Sequence, residues 1–310
     1  MPHHLPATPE TVSFGTIDPG RAPALCLRPG DTVTMETLSG GRRNLPAAGG
    51  PGTPLRAHLE VLDAVPQGMG PHLLTGPVHV EGARPGDRLI VEIDSVELAQ
   101  DYGWNAIEPG FGVFPDLAGE YASLTVPIDR ARATAQLPWG PELALAPFFG
   151  ILAVAPEGGP AGSVVPGPFG GNMDNRYCRA GARIAFPVFR EGALFYAGDG
   201  HARQGDGEIC DTALETALTG RFRFLLEPGT APEAPEITHG TLAVTMDFDP
   251  DLNRAAETAA RRMIDRLQAE CGLSRQEAYR HCSLCADLRI TQLVNRSKGV
   301  HCVLDLATLR

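Results

Sequence analysis

At 310 residues the chain has room for about two structural units at roughly 150 residues each, and its 43% hydrophobic and 20% charged residues exclude disordered, collagenous and coiled-coil classes. The net charge is −11, Lys298 is the single lysine, and the arginine doublets Arg42-Arg43 and Arg261-Arg262 extend into no basic stripe, so nucleic acid and anionic membranes are not expected partners. Seven cysteines, an odd number in a chain too large to need staples, read as free thiols of a reducing, cytoplasmic compartment, and no run of about 18 apolar residues marks a membrane span.

In chain order, residues 1–20 read as an irregular N-terminal arm, with three prolines in the first ten positions and no apolar leader. Residues 21–250 read as a β-rich core. Pro29-Gly30-Asp31 and Pro85-Gly86-Asp87 suit turns in which proline fixes φ and glycine accepts a positive one. Each launches an alternating run, Thr32 to Thr37 and Arg88 to Ile93. Further strands are expected at 181–186, 192–196, 221–226 and 241–246. Short strands between Gly/Pro turns predict a mainly β fold with α+β portions, its core a β-sandwich or barrel-like.

The segment 251–310 changes character. Leu252, Ala255, Ala259, Met263, Ile264 and Leu267 recur at helical spacing up to Gly272, a fitting C′ residue. Ser274 and Glu277 have capping-box spacing and start a second helix, followed by a strand over 288–294. This C-terminal helical segment is expected to pack on the core as scaffold.

Chemistry concentrates in two stretches, Pro166 to Asp174 and Gly198 to Glu208. If the second is extended, Asp199 and His201 share one face, as do Asp206 and Glu208. Carboxylates with an imidazole suit a divalent metal that keeps a position open for water; a glycine-aspartate turn cluster satisfying its own backbone is the alternative. Chain return through two strands is expected to bring Asp174 to His201. His72, beside a Gly-Pro turn, is a further metal candidate, whereas His79 with Glu81 matches the solvated face of a half-buried strand.

The run from Thr75 to Asp87, the run Phe169-Gly170-Gly171-Asn172-Met173-Asp174 and the run from Gly198 to Glu208, with Gly272 to Tyr279 and Asp287 to Gln292, resemble the acetamidase/formamidase family over about residues 20–305. The resemblance implies hydrolysis of small linear amides to ammonia and a carboxylate, on a β-rich fold with appended α+β portions. One departure is Ser39, just after Glu36-Thr37, where family members carry an aspartate; any role for an acid there is open.

Amide hydrolysis needs a nucleophile, a polarised carbonyl and a proton for the departing amine. A metal held by Asp174, His201, Asp199 and His72 supplies the first two through an activated water, with zinc first and calcium second. Glu208 is the first choice for the acid and Asp206 the second, and Gly170, Gly171 and Asn172 offer backbone N–H groups to the oxyanion. A thiolate at Cys178 or Cys210 is a rival nucleophile, and Cys282 and Cys285 have C-x-x-C spacing without a second pair. A small amide substrate and a homo-oligomer complete the expectation. A hydrolase of another non-peptide C–N bond and a non-catalytic metal- or carbohydrate-binding β module remain the alternatives.

Overall fold

The alternation in the sequence becomes the two sides of strands. In Thr32–Glu36, Val33 and Met35 point into the core, and in Leu218–Glu227 the buried Phe222 and Phe224 alternate with the exposed Arg221 and Arg223. The computed structural model describes residues 2–309; Met1 and Arg310, the outer ends of the expected arm and of the C-terminal segment, lie outside them.

One sheet has nine strands, in the order Pro2–Leu5, Thr32–Glu36, Leu218–Glu227, Arg88–Leu98, Ala182–Pro187, Glu236–His239, Leu242–Asp249, Lys298–Asp305 and Ala286–Gln292. The other is built around Phe195–Arg203, which pairs along one edge with Phe148–Ala153 and along the other with Leu73–Val80 and Leu214–Glu215. Aromatic side chains join the two layers. Phe222 lies 5.2 Å from Phe149 and 5.7 Å from Phe195, and Phe195 lies 5.2 Å from Phe224, in the tilted and edge-to-face geometries that ring quadrupoles favour. The fold is mainly β, as the sequence implied, and its sheets stay open instead of closing into a barrel.

Residues 1–20 are not irregular. Pro2–Leu5 runs parallel to Thr32–Glu36, Val12–Phe14 pairs with Leu73–Val80, and Thr16–Ile17 pairs with Ala161–Gly162. Proline did not prevent this, because Pro2 opens an edge strand and Pro6 and Pro9 fall between strands. A helix the sequence reading lacked, α1, spans Arg56–Ala64.

The two expected helices are present. Helix α2 covers Leu252–Cys271, capped by Asp251, and ends at Gly272 with φ 68°, a conformation that suits glycine. Helix α3 covers Arg275–Cys285 behind the Ser274/Glu277 capping box. The buried stripe Ala255, Ala259, Met263 and Leu267 packs on Val300, Cys302 and Leu304, so the C-terminal segment buries its apolar face on the nine-stranded sheet. Among the described residues no helix is long and apolar enough to cross a membrane.

Candidate active site

Asp199 and His201 lie two residues apart on the buried strand Phe195–Arg203, and Asp199 Oδ2 comes within 3.3 Å of His201 Nε2. Asp174 follows the strand Gly170–Asn172. Phe148–Ala153 runs between these two strands and pairs with both, which brings Asp174 to His201. The meeting point is Gly150. A Cβ there would lie 2.5 Å from Asp199 Oδ2, 2.7 Å from Asp174 Oδ1 and 2.8 Å from His201 Nε2. Glycine therefore keeps open the space on which the three polar atoms converge.

His201 Nε2 is 3.3 Å from Asp199 Oδ2, 3.3 Å from Glu215 Oε1 and 3.8 Å from Asp174 Oδ1, and has no hydrogen-bond partner. Glu215 stands opposite His201 in the sheet register; its Oε1 accepts from the Ala213 N–H at 2.8 Å, and its Oε2 is buried without a partner. Among the described residues two sets have ligand atoms all within 4.8 Å of one another, Asp174–Asp199–His201 and His201–Glu208–Glu215.

Amide side chains frame the cluster. Gln204 Oε1 lies 2.8 Å from His201 Nδ1; an amide oxygen only accepts, so Nδ1 carries the proton and Nε2 faces the acids. Gln204 Nε2 donates to the Asp174 carbonyl at 2.9 Å. With its nitrogen turned to the acids, Asn172 donates to Asp199 Oδ2 at 3.0 Å and to Asp174 Oδ1 at 3.3 Å, and its oxygen accepts from Asn295 at 3.1 Å. Asn295 also donates to Asp174 Oδ2.

So many buried carboxyls cannot all ionise. Burial, then the charges of Asp174, Glu215 and Asp199, push Glu208 well above the usual carboxylate range, and it shares a hydrogen bond with Asp174. Burial likewise raises Glu215 and takes Asp174 to about 6. Burial opposes ionisation of Asp199 too, but the His72 and His201 imidazoles outweigh it and hold that carboxyl below the ordinary range. Asp211 is pushed up to about 7 by burial and the charge of Asp174. Asp174 (φ 48°), Asp199 (φ 54°), Glu208 (φ 45°) and Asp211 (φ 72°) are left-handed, a concentration of backbone strain in one place.

The structure thus brings together Asp174, Asp199, His201, Glu208 and Asn172. Other expected residues fall elsewhere. His72 approaches Asp199 Oδ1 at 3.9 Å, outside both ligand sets, with its Nδ1 held by Ser163 Oγ at 2.8 Å. Asp206 does not share a face with Glu208. The chain there is not extended: Gly207 has φ 102°, and Asp206 turns to Arg176 at 3.0 Å and Arg289 at 3.9 Å. The Gly170 N–H is spent on the Gly167 carbonyl, and Asn172 reaches the acids through its side chain rather than its backbone. Burial first, then the charge of Asp174, raises the Cys178 thiol far above its usual value, which removes a thiolate there. Cys282 and Cys285 join no ligand set among the described residues. Ser39 is buried and accepts from Trp104 Nε1 at 3.2 Å.

Glu215, Gln204, Asn295 and Gly150 were not anticipated. Glu215 had one signal, a lone acid within the otherwise uncharged run from Thr212 to Gly220. Asn295 corrects the scaffold reading of the C-terminal segment, whose loop before Lys298–Asp305 completes the site.

A family model described as the acetamidase/formamidase family matches residues 66–160 and 158–234, together more than half of the chain. The acetamidase of Mycolicibacterium smegmatis is 31% identical over 200 residues, covering 44% of this chain and 49% of that protein. The chain spans about half the length of the curated relatives it matches. Among solved structures, the acetamidase from Bacillus halodurans superposes with a TM-score of 0.84 at 28% identity, covering 99% of this chain and 98% of the other. A recombinant predicted acetamidase/formamidase from Thermoanaerobacter tengcongensis gives 0.86 at 28% identity, covering 100% and 97%.

Proposed function

The chain belongs to the acetamidase/formamidase family, and from that premise we propose that it hydrolyses the C–N bond of short linear amides of the formamide and acetamide kind, releasing ammonia and a carboxylate. The observation that carries this reading is the convergence of Asp174, Asp199 and His201 on one open point beside Glu208, a carboxylic acid that burial and the neighbouring acids hold well above the usual carboxylate range.

The donor set fits a divalent cation. Two buried polar atoms, His201 Nε2 and Glu215 Oε2, lack partners, which is costly in a dry site, and a side chain at Gly150 would occupy the space between the donors. Asp174, Asp199 and His201 would hold the ion; oxygen donors with one imidazole suit zinc, our first choice, and calcium, our second. Such an ion supplies a Lewis acid for the amide carbonyl and lowers the pKa of water toward roughly 7.

The chain's own groups account for the proton and the positioning. The oxygen of water forms the new C–O bond, the C–N bond breaks, and the nitrogen leaves with the proton of Glu208; Glu208 regains one from the water consumed. Gln204 fixes the ring of His201, and Asn172 with Asn295 fixes Asp174, so each group is aligned before substrate arrives. The seven cysteines are all free, which supports a reducing, cytoplasmic setting. Leu284, Leu288 and Tyr279 are exposed around α3 and the strand after it, which supports burial of that face in a homo-oligomer. The test is ammonia release from formamide, acetamide, propionamide and urea. Turnover of the short linear amides above urea is expected, and none on any of them overturns the reading.

A further inference from the structure

Gln204 and Phe148 both touch His201, the first through its amide oxygen and the second edge-on with ring centroids 4.9 Å apart. Both also line a separate cavity of about 310 Å³, together with Tyr177 and three arginines, Arg176, Arg179 and Arg203. No carboxylate lines this space, in a chain whose net charge is −11.

The three arginines are unequally matched. Arg176 is paired with Asp206 at 3.0 Å. Arg203 donates to the Ala144 carbonyl at 2.9 Å and, among the described residues, has no ion pair. Arg179 has no ion pair either, and its Nε is buried without a hydrogen-bond partner. The guanidinium carbons of Arg176 and Arg179 lie 5.9 Å and 5.8 Å from the Tyr177 ring. The planar fork of arginine matches a carboxylate, and a cavity of this size is at the small end of ligand sites.

We propose that this cavity is a binding site for a small carboxylate anion, held by Arg179 and Arg203 beside Tyr177, and that its occupation is felt at His201 through Gln204. The choice of a carboxylate, which is what amide hydrolysis releases, rests on the amidase reading; the cavity and its unpaired arginines do not. An anion there attracts the amide hydrogens of Gln204, which otherwise donate to the Asp174 carbonyl, and so loosens the group that fixes the His201 ring. Carboxylate is then a feedback inhibitor acting beside, not in, the acid cluster.

The test is calorimetric titration of the purified protein with sodium acetate and, separately, inorganic phosphate, with chloride holding ionic strength constant against screening. Acetate is expected to bind with a Kd on the order of millimolar, more tightly than phosphate. Arg179→Gln should weaken acetate at least about tenfold, Arg179→Lys should weaken it less because it keeps the charge but not the fork, and Arg289→Gln, outside the cavity, should leave it unchanged. Thermal melts confirm that the variants fold. Equal acetate binding by wild type and Arg179→Gln, or tighter binding of phosphate, overturns the proposal. In turnover assays acetate should inhibit without competing with amide, and Arg179→Gln should relieve the inhibition with kcat unchanged in its absence. Arg179-dependent acetate binding without amide turnover would refute the amidase reading and leave the cavity standing; amide turnover with Arg179-independent binding would do the reverse.

Discussion

Two buried histidines, His201 and His301, have opposite electrostatic surroundings. His201 sits among Asp174, Asp199 and Glu215, and His301 packs edge-on against Tyr177 with ring centroids 5.7 Å apart. Burial pushes both imidazoles toward the neutral form. For His201 the carboxylates of Glu215 and Asp199 outweigh burial and take it up to about 10; for His301 the guanidinium groups of Arg176 and Arg289 add to burial and take it down to about 3. Burial is common to the two, so the sign of the neighbouring charge decides. The acid side favours a cation, and a metal held by the same atoms would take the place of the His201 proton. The arginine side favours an anion.

The contrast breaks most completely at Gly150. Gly150→Ala places a methyl on the point where the three ligand atoms converge, and turnover and bound metal should both fall to background while the far-ultraviolet circular dichroism stays that of wild type. Retained metal and activity would mean that the convergence is not the site. Glu208→Gln comes next, with kcat reduced by at least roughly 100-fold, the lower range for general acid–base catalysis, and metal content preserved. Unchanged turnover would transfer the proton to another acid, with Glu215, whose carboxylate lies within 4.8 Å of that of Glu208, the first candidate.

On the arginine side, His301 makes the contrast a matter of stability. Its native value of about 3 lies below its ordinary 6.5, so between those limits the unfolded chain binds a proton that the native state refuses. Stability from this group is complete above about pH 6.5 and falls as pH drops toward 3. Urea melts at about pH 7 and 4.5 should show wild type losing about 2 to 3 kcal/mol more than His301→Gln, at 1.36 kcal/mol per unit; equal losses would contradict the assignment. The smallest effects on turnover belong to residues outside the two ligand sets of the acid cluster. Asp206→Asn, which loosens only the Arg176 and Arg289 pairs, and Cys178→Ala should leave kcat/KM close to wild type, and a large loss in either would restore the roles that the sequence suggested.

The residues that were legible in the sequence are those whose chemistry and spacing agree. Asp199 and His201 are two apart on one strand, and α2 and α3 carry both their periodicity and their caps. The failures share one cause, which is that local spacing cannot see a bend or a distant partner. Asp206 and Glu208 look like a same-face pair until the turn at Gly207 separates them. A register shift between His201 and Arg203 breaks the strand's pairing just where the site gives way to the arginine cavity. Glu215 and Asn295 arrive from strand pairing and a C-terminal loop, and neither carries a local motif. The N-terminal strands depend wholly on partners elsewhere in the chain, which the local proline content does not reveal.

The central claim is that the Asp174–Asp199–His201 cluster works by holding a divalent cation. Elemental analysis beside a chelator titration of ammonia release from acetamide tests it most directly. The account predicts about one tightly held ion per chain at this cluster, activity that declines in step with its removal and returns on adding zinc or calcium, and no such ion in Gly150→Ala. A metal-free preparation that hydrolyses acetamide at the full rate, indifferent to chelator, would contradict it.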